Sequence, residues 1–252
     1  MSKWVIRGLQ TGIKTTSYPD REETALGISP GLPLGKSDAG EKGPEIVSRC
    51  PTGALRKSGE QVVVNYRRCI HCFRCLRGLV DPLKWGSGYE WAEATEIPDD
   101  AMGRAFARSL HVRVVDGGAC GACLSEIQQI TKPYYNIHRL GFFVTPTPRD
   151  ADILMVAGPV TDHMRLPICK AYEAMPTPKR VLAVGACALS GGVFGPSFAS
   201  GAGVSELIPV AAAVPGCPPP PLAILHGLLM LSGRRSSSSL TADDSNGRTQ
   251  TS

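Results

Sequence analysis

Cys120 and Cys123 occupy Gly118-Ala119-Cys120-Gly121-Ala122-Cys123, a glycine-rich stretch between an apolar run at 111–115 and an amphipathic run at 127–130. A strand, a glycine turn and a helix follow one another there. In an open α/β sheet such a turn lies at the carboxyl edge of the strands, where ligands bind. Two further cysteines fall at equivalent places. Cys187 closes the apolar run at 181–185, and Cys217 follows the run at 210–214 in Val214-Pro215-Gly216-Cys217-Pro218. Four thiols at or just beyond strand ends can meet at one point. The expectation is a metal or iron–sulfur site built on a parallel sheet.

The rest of this half supports such a sheet. Apolar runs at 142–145 and 152–157 alternate with helical patterns. A helix is expected to be regular from Pro167, which suits a first turn, to Met175, with Pro176 and Pro178 closing it. A final helix is expected over 219–231. Strands alternating with helices give a doubly wound parallel sheet. From 233 to 252 the chain is Ser, Thr, Asp, Asn and Arg with almost nothing apolar, and disorder is expected.

The N-terminal part holds a second, more local signal. Cys69-Ile70-His71-Cys72-Phe73-Arg74-Cys75 follows a predicted strand at 61–66. The C-x2-C-x2-C spacing wraps three thiolates around one face of a cubane cluster, whereas tetrahedral zinc usually takes two separated pairs. In two-cluster ferredoxins each triplet draws its fourth ligand from a Cys-Pro in the other half, and Cys50-Pro51 is placed to serve. The second cluster of such a ferredoxin is missing as a set. Residues 38–49 hold no cysteine, and Leu79 stands where the second Cys-Pro cysteine would fall. All four ligands of one cluster are absent while all four of the other are present. An iron–sulfur cluster on Cys50, Cys69, Cys72 and Cys75 is therefore expected.

Four other stretches need a reading. Residues 1–17 place Val5, Ile6, Leu9 and Ile13 on one side of a helix, with Lys3, Arg7 and Lys14 around it. Such a helix packs on its own domain, or lies on a membrane face or a partner subunit. Residues 18–45 read as loop. Gly31-Leu32-Pro33-Leu34-Gly35-Lys36-Ser37 is no phosphate loop, because Pro30 stands at the first glycine position and no strand precedes it. Residues 81–110, with Trp85 and Trp91, show no clear period and read as a linker with a helix near 99–109.

With 252 residues, 42% of them hydrophobic, one or two folded domains are expected. No apolar run approaches the roughly 18 residues needed to cross a bilayer. The N-terminus has no secretory signal pattern, so the nine cysteines are expected in a reducing cytoplasm, where clustered thiols bind metal. A net charge of +5 is too weak to argue for nucleic acid.

These motifs resemble a known family. Residues 111–232 are similar to the small, cluster-bearing subunit shared by membrane-bound [NiFe] hydrogenases of the formate-hydrogenlyase type and by respiratory complex I, its 20 kDa subunit. The likeness lies in Cys120-Gly121-Ala122-Cys123 with Glu126, in Thr147-Pro148-Arg149 and Ala151-Asp152-Ile153-Leu154, in Gly185-Ala186-Cys187-Ala188-Leu189-Ser190-Gly191-Gly192, and in Pro215-Gly216-Cys217-Pro218-Pro219. The resemblance implies a flavodoxin-like sheet in which Cys120, Cys123, Cys187 and Cys217 hold a [4Fe-4S] cluster. Complex I subunits carry two adjacent cysteines at the first motif, so the spaced pair points to the hydrogenase branch. Residues 1–80 resemble the ferredoxin-like subunit of the same complexes, through Gln10-Thr11-Gly12-Ile13-Lys14-Thr15-Thr16-Ser17-Tyr18-Pro19 and the cysteine motifs.

The fold expected is thus α/β: a small ferredoxin-like α+β domain at 1–80, a linker at 81–110, the sheet domain at 111–232 and a tail at 233–252. The function implied is electron transfer through two [4Fe-4S] clusters. The partners implied are a catalytic large subunit with [NiFe], other subunits of a membrane-bound complex, and a donor such as ferredoxin or formate dehydrogenase. The place implied is peripheral, on the inner face of the cell membrane. No nickel ligands are visible, since the close cysteine pairs are already used. The alternatives are a quinone-reducing complex I-like subunit and a free-standing ferredoxin-type carrier. Among the remaining residues, Cys169 reads as a small buried thiol, His163 as a helix-start residue and His71 as a solvent-side residue tuning potential. Glu126 reads as a relay or interface carboxylate, or as a charge near its helix N-terminus. Arg67, Arg68, Arg74 and Arg77 read as a solvated face or a docking patch for an acidic donor.

Overall fold

The computed structural model describes residues 2–79, 81–95 and 108–236. Five strands, β6 (Leu110–Asp116), β7 (Phe142–Val144), β8 (Ile153–Ala157), β9 (Arg180–Val184) and β10 (Ala212–Val214), run parallel. Their order across the sheet is β7-β6-β8-β9-β10. Renumbered from β6, that is the 2-1-3-4-5 order of a flavodoxin-like sheet, with its switch point beside β6. Every residue of β8 and β9 is buried. Apart from Arg180 at the start of β9 they are apolar, as in strands covered on both faces.

Helices cover the two faces. Helices α3 (Ala122–Gln129) and α6 (Pro221–Leu231) share a core with Val112, Met155 and Leu182. Helix α4 (Asp162–Ala174) and the short α5 (Ala186–Ser190) pack with Val115, Leu154, Val156 and Val181 on the other face. All eleven residues of α6 are buried, as expected of a helix that is apolar all round. Gly227 lets it approach the sheet: a Cβ there would lie 2.7 Å from Val214 Cγ2.

Two boundaries differ from expectation. Helix α4 begins at Asp162, so Pro167 lies inside it. Proline removes only its own N–H bond and crowds the carbonyl four residues back. Here that residue is the exposed His163 in the first turn, where water can take the carbonyl. The expected disorder also starts too early. Arg234 donates to Leu140 O at 2.6 Å and lies over the Phe142 ring, and Arg235 pairs with Glu90. Positions 237–252 lie outside the described residues.

The N-terminal part comprises α1 (Lys3–Thr11), β1 (Leu32–Pro33), α2 (Gly43–Ser48), β2 (Leu55–Ser58), β3 (Gln61–Val64), β4 (Trp85–Gly86) and β5 (Glu93–Ala94). Strands β2 and β3 form a hairpin, Ser58 opposite Gln61, around a two-residue turn with Gly59 at φ +61°. Strands β1 and β4 pair antiparallel. Ile46, Val62, Val64, Tyr66 and Trp91 belong to the same buried cluster as α3 and α6, so apolar packing is continuous between the two parts.

The stretch read as a linker is partly built into the sheet. β5 adds to β10 as an antiparallel edge, Glu93 opposite Ala213. Trp91, Ala92 and Glu93 are buried. The helix expected near 99–109 falls almost wholly outside the described residues. Helix α1 buries none of its residues, and Trp4, Leu9 and Ile13 are 76%, 75% and 93% exposed. Among the described residues no helix is long and apolar enough to cross a membrane.

Candidate metal centres

The sheet site is assembled by tight turns at the strand ends. Beyond β6, the Asp116 carboxylate accepts from the backbone N–H groups of Gly118 and Ala119, at 2.9 and 2.7 Å. That clamp folds the loop over and carries Cys120 to the surface and Cys123 into the first turn of α3, where it is buried. Cys187 sits in the first turn of α5, not in the preceding strand, and Cys217 follows β10. Ala186 N donates to Gly216 O at 2.7 Å, which ties these last two loops together.

The sulfurs lie where side chains are excluded. A Cβ on Gly185 (φ +90°) would stand 2.6 Å from Cys123 Sγ, and one on Gly192 (φ +60°) 2.5 Å from Cys187 Sγ. Burial pushes the Cys123 thiol up to about 12, and the Cys217, Cys187 and Cys120 thiols add to the rise. Burial raises Cys187 and Cys217 also, each with a contribution from Cys120. All four expected residues are thus brought within electrostatic reach of one another. Cys169 is half-buried on α4 and packs in the core on the other face of the sheet.

The N-terminal site is local. Cys50 follows α2 in a turn where Ala54 N donates to Cys50 Sγ at 3.2 Å. The Thr52 hydroxyl donates to Arg68 O at 2.7 Å, which pins that turn to the loop bearing Cys69. Within the loop His71 and Phe73 take positive φ, 50° and 58°. Such a conformation costs a non-glycine residue about 1–3 kcal/mol and persists only where packing over-determines it. Here Phe73 stacks on Trp85, centroids 4.3 Å apart, and His71 meets Trp85 and Trp91 edge-on.

Cys50, Cys69, Cys72 and Cys75 line one cavity with Trp85. Burial pushes the Cys69 thiol up to about 12; the His71 backbone N–H opposes the rise, while Cys75, Cys50 and Cys72 reinforce it. Burial raises Cys75, against a pull from the Trp85 indole N–H.

His71 corrects a sequence expectation. It is not on the solvent side but buried, 8% exposed, because its ring fills the gap between two tryptophans. Burial lowers its pKa to about 4. Of the arginines nearby, Arg67 pairs with the buried Glu93 at 3.2 Å, while Arg68, Arg74 and Arg77 are exposed. Glu126 is half-buried, its carboxyl raised by burial, and it shares a cavity with His71, Tyr135 and Cys217. Sequence reasoning missed Trp91, whose only polar atom donates to Pro215 O at 2.8 Å. Its one advance signal was a large aromatic in an otherwise aperiodic stretch.

Among the described residues no three His, Cys, Asp or Glu side chains stand as a site for a metal ion. Two all-cysteine sets, two glycine cradles beside sulfurs and, among the described residues, buried ring nitrogens without partners on His71 suit a sulfide-bearing cluster.

A profile of the NADH ubiquinone oxidoreductase 20 kDa subunit family matches residues 120–231. A probable membrane-bound hydrogenase subunit of Pyrococcus furiosus is 44% identical over 125 residues, 50% of this chain and 75% of that protein. The chain belongs to the NADH ubiquinone oxidoreductase 20 kDa subunit family. An uncharacterized protein of Methanocaldococcus jannaschii is 48% identical over 122 residues, 48% of this chain and 82% of that one. Formate hydrogenlyase subunit 7 of Escherichia coli is 41% identical over 130 residues, 52% of this chain and 51% of that protein. Members of this 20 kDa subunit family are subunits of oxidoreductase complexes, of hydrogenase or NADH:quinone oxidoreductase type.

Proposed function

We propose that the chain is the electron-transfer subunit of a membrane-associated [NiFe] hydrogenase of the formate-hydrogenlyase type. In this reading Cys50, Cys69, Cys72 and Cys75 hold one [4Fe-4S] cluster and Cys120, Cys123, Cys187 and Cys217 a second. Residues 1–80 are a ferredoxin-like domain, joined through 81–110 to the 20 kDa-type domain at 111–232. Bound clusters would each take up and give back one electron at a time. The chain's own residues exclude water from the buried thiols, donate N–H groups toward the sulfurs and fix the ligand loops.

The observation that carries the reading is two complete four-cysteine sets in one polypeptide, one on the sheet edge and one in a local loop. The Cys-x2-Cys spacing at Cys120 and Cys123 favours the hydrogenase branch over a complex I-like quinone reductase. The unburied apolar side of α1, with Lys3 and Arg7 and no acid, supports a peripheral place on an anionic membrane face. The catalytic large subunit, other subunits and a donor such as ferredoxin or formate dehydrogenase follow from the same reading.

Purification under anaerobic conditions tests it. The chain is expected to carry with it a large subunit containing nickel. Cys187→Ser is expected to weaken that association and abolish hydrogen evolution, whereas Cys169→Ser does neither. A partner without nickel that reduces quinone would overturn the hydrogenase assignment, and Cys169→Ser matching Cys187→Ser would overturn the ligand set.

A further inference from the structure

An aromatic contact joins the loops that carry the two cysteine sets. Trp91 is 3% exposed and donates its indole N–H to Pro215 O at 2.8 Å, two residues before Cys217. Its ring meets the His71 ring edge-on, centroids 5.9 Å apart and planes at 87°. His71 lies between Cys69 and Cys72, and among the described residues neither of its ring nitrogens has a hydrogen-bond partner. One residue therefore touches both ligand loops, by a hydrogen bond on one side and a ring edge on the other.

Neighbouring ties brace the same junction. Ser190, at the end of the Cys187 helix, donates to Arg67 O at 3.0 Å, and Arg67 pairs with Glu93, two residues beyond Trp91. A tryptophan that merely filled the core would place its N–H on any free acceptor. This one places it on the carbonyl that leads into Cys217. Edge-to-face rings and a buried indole hydrogen bond are directional, so they fix orientation as well as volume.

We propose that Trp91 is a positioning residue that holds the His71 loop against the Cys217 loop and so sets the separation of the two cluster sites. The inference rests on the reading that both sets carry a [4Fe-4S] cluster. Transfer between them moves one electron, one site being oxidised as the other is reduced. No bond forms and no proton moves, and the rings of Trp91 and His71 are not themselves oxidised. Their part is to keep the gap short and dry.

The test uses the full chain, loaded and fully reduced, with electron paramagnetic resonance saturation as the readout. Cys72→Ser supplies the reference for a sheet site whose neighbour is missing. In the wild type each reduced site speeds the other's relaxation. Trp91→Leu is expected to keep its iron while the sheet-site signal saturates nearly as easily as in Cys72→Ser. Trp91→Phe, which keeps a ring but loses the bond to Pro215 O, is expected to fall between. Should Trp91→Leu lose iron, Trp91→Phe decides by the same measure. Wild-type saturation in a fully loaded Trp91→Phe overturns the proposal, as does loss of iron from both variants, since a residue that only positions leaves the ligands loaded. A wild type with both clusters that saturates like Cys72→Ser overturns it also. A wild type with fewer than two clusters fails differently: it overturns the cluster assignment beneath the proposal.

Discussion

The two thiol sets solve one problem in opposite ways. On the sheet, Cys120, Cys123, Cys187 and Cys217 come from the ends of three strands nearly a hundred residues apart in sequence, and the scaffold that places them is a parallel sheet whose β8, β9 and β10 are buried throughout. In the N-terminal part, three thiols fall within seven residues on a loop with two strained positions, backed by two-residue and four-residue strands. The first site is positioned by the fold. The second has so little regular structure around it that, on the proposed reading, a bound cluster would supply much of its order, as in small metal-dependent domains generally. A locally coded site is thus easy to read and hard to stabilise, and a site coded by topology is the reverse.

Stripping the metal is expected to break this symmetry most visibly. With iron and sulfide removed, amide exchange should become fast across 50–79, while β8, β9 and α6 keep their protection. Equal loss of protection in both parts would show that the sheet depends on its cluster as much as the loop does.

Gly185→Ala sharpens the comparison from the sheet side. A methyl group at φ +90° costs about 1–3 kcal/mol, and here it would also press on Cys123 Sγ. The variant is expected to lose the sheet cluster, keep the N-terminal one and melt a few degrees lower. Two full clusters in this variant would show that the glycine is not part of the cradle.

The smallest effect concerns a clasp between the two parts. Tyr134 donates to the Glu23 carboxylate at 2.8 Å, and this bond, with another from Thr16, holds the carboxyl below its ordinary value. A group whose folded pKa is depressed adds stability above its unfolded pKa and loses it as pH falls through the folded one. Tyr134→Phe should therefore lower the melting temperature slightly at neutral pH, with the difference vanishing once Glu23 is protonated. An unchanging difference at every pH would mean that the tyrosine acts only by packing.

What could be read in advance follows the same division. The parallel sheet was legible because buried strands leave continuous apolar runs, and the triplet at 69–75 because cubane ligation dictates its spacing. The sheet cysteines were legible once strand ends were located. The bridge was not. Trp91 and His71 owe their places to contacts across more than a hundred residues in one case and to a strained turn in the other, and neither leaves a period. The regular part of α4 was expected only from Pro167, because proline suits a first turn, although His163, read as a helix-start residue, does lie in the first turn. The missing bond of Pro167 falls where the helix is exposed. The end of the fold was set too early because Arg234 and Arg235 read as tail until Leu140, Phe142 and Glu90 are brought beside them.

The central claim is two complete cubane sites on separate cysteine sets, and metal analysis of anaerobically prepared protein tests it most directly. The account predicts about eight irons and eight acid-labile sulfides per chain, since each [4Fe-4S] cluster takes four thiolates. Cys72→Ser should bring both figures to about half and remove one of two reduced-state paramagnetic signals. Stoichiometric zinc without broad visible absorption would contradict the account, as would the loss of both signals from a Cys72→Ser protein that remains folded.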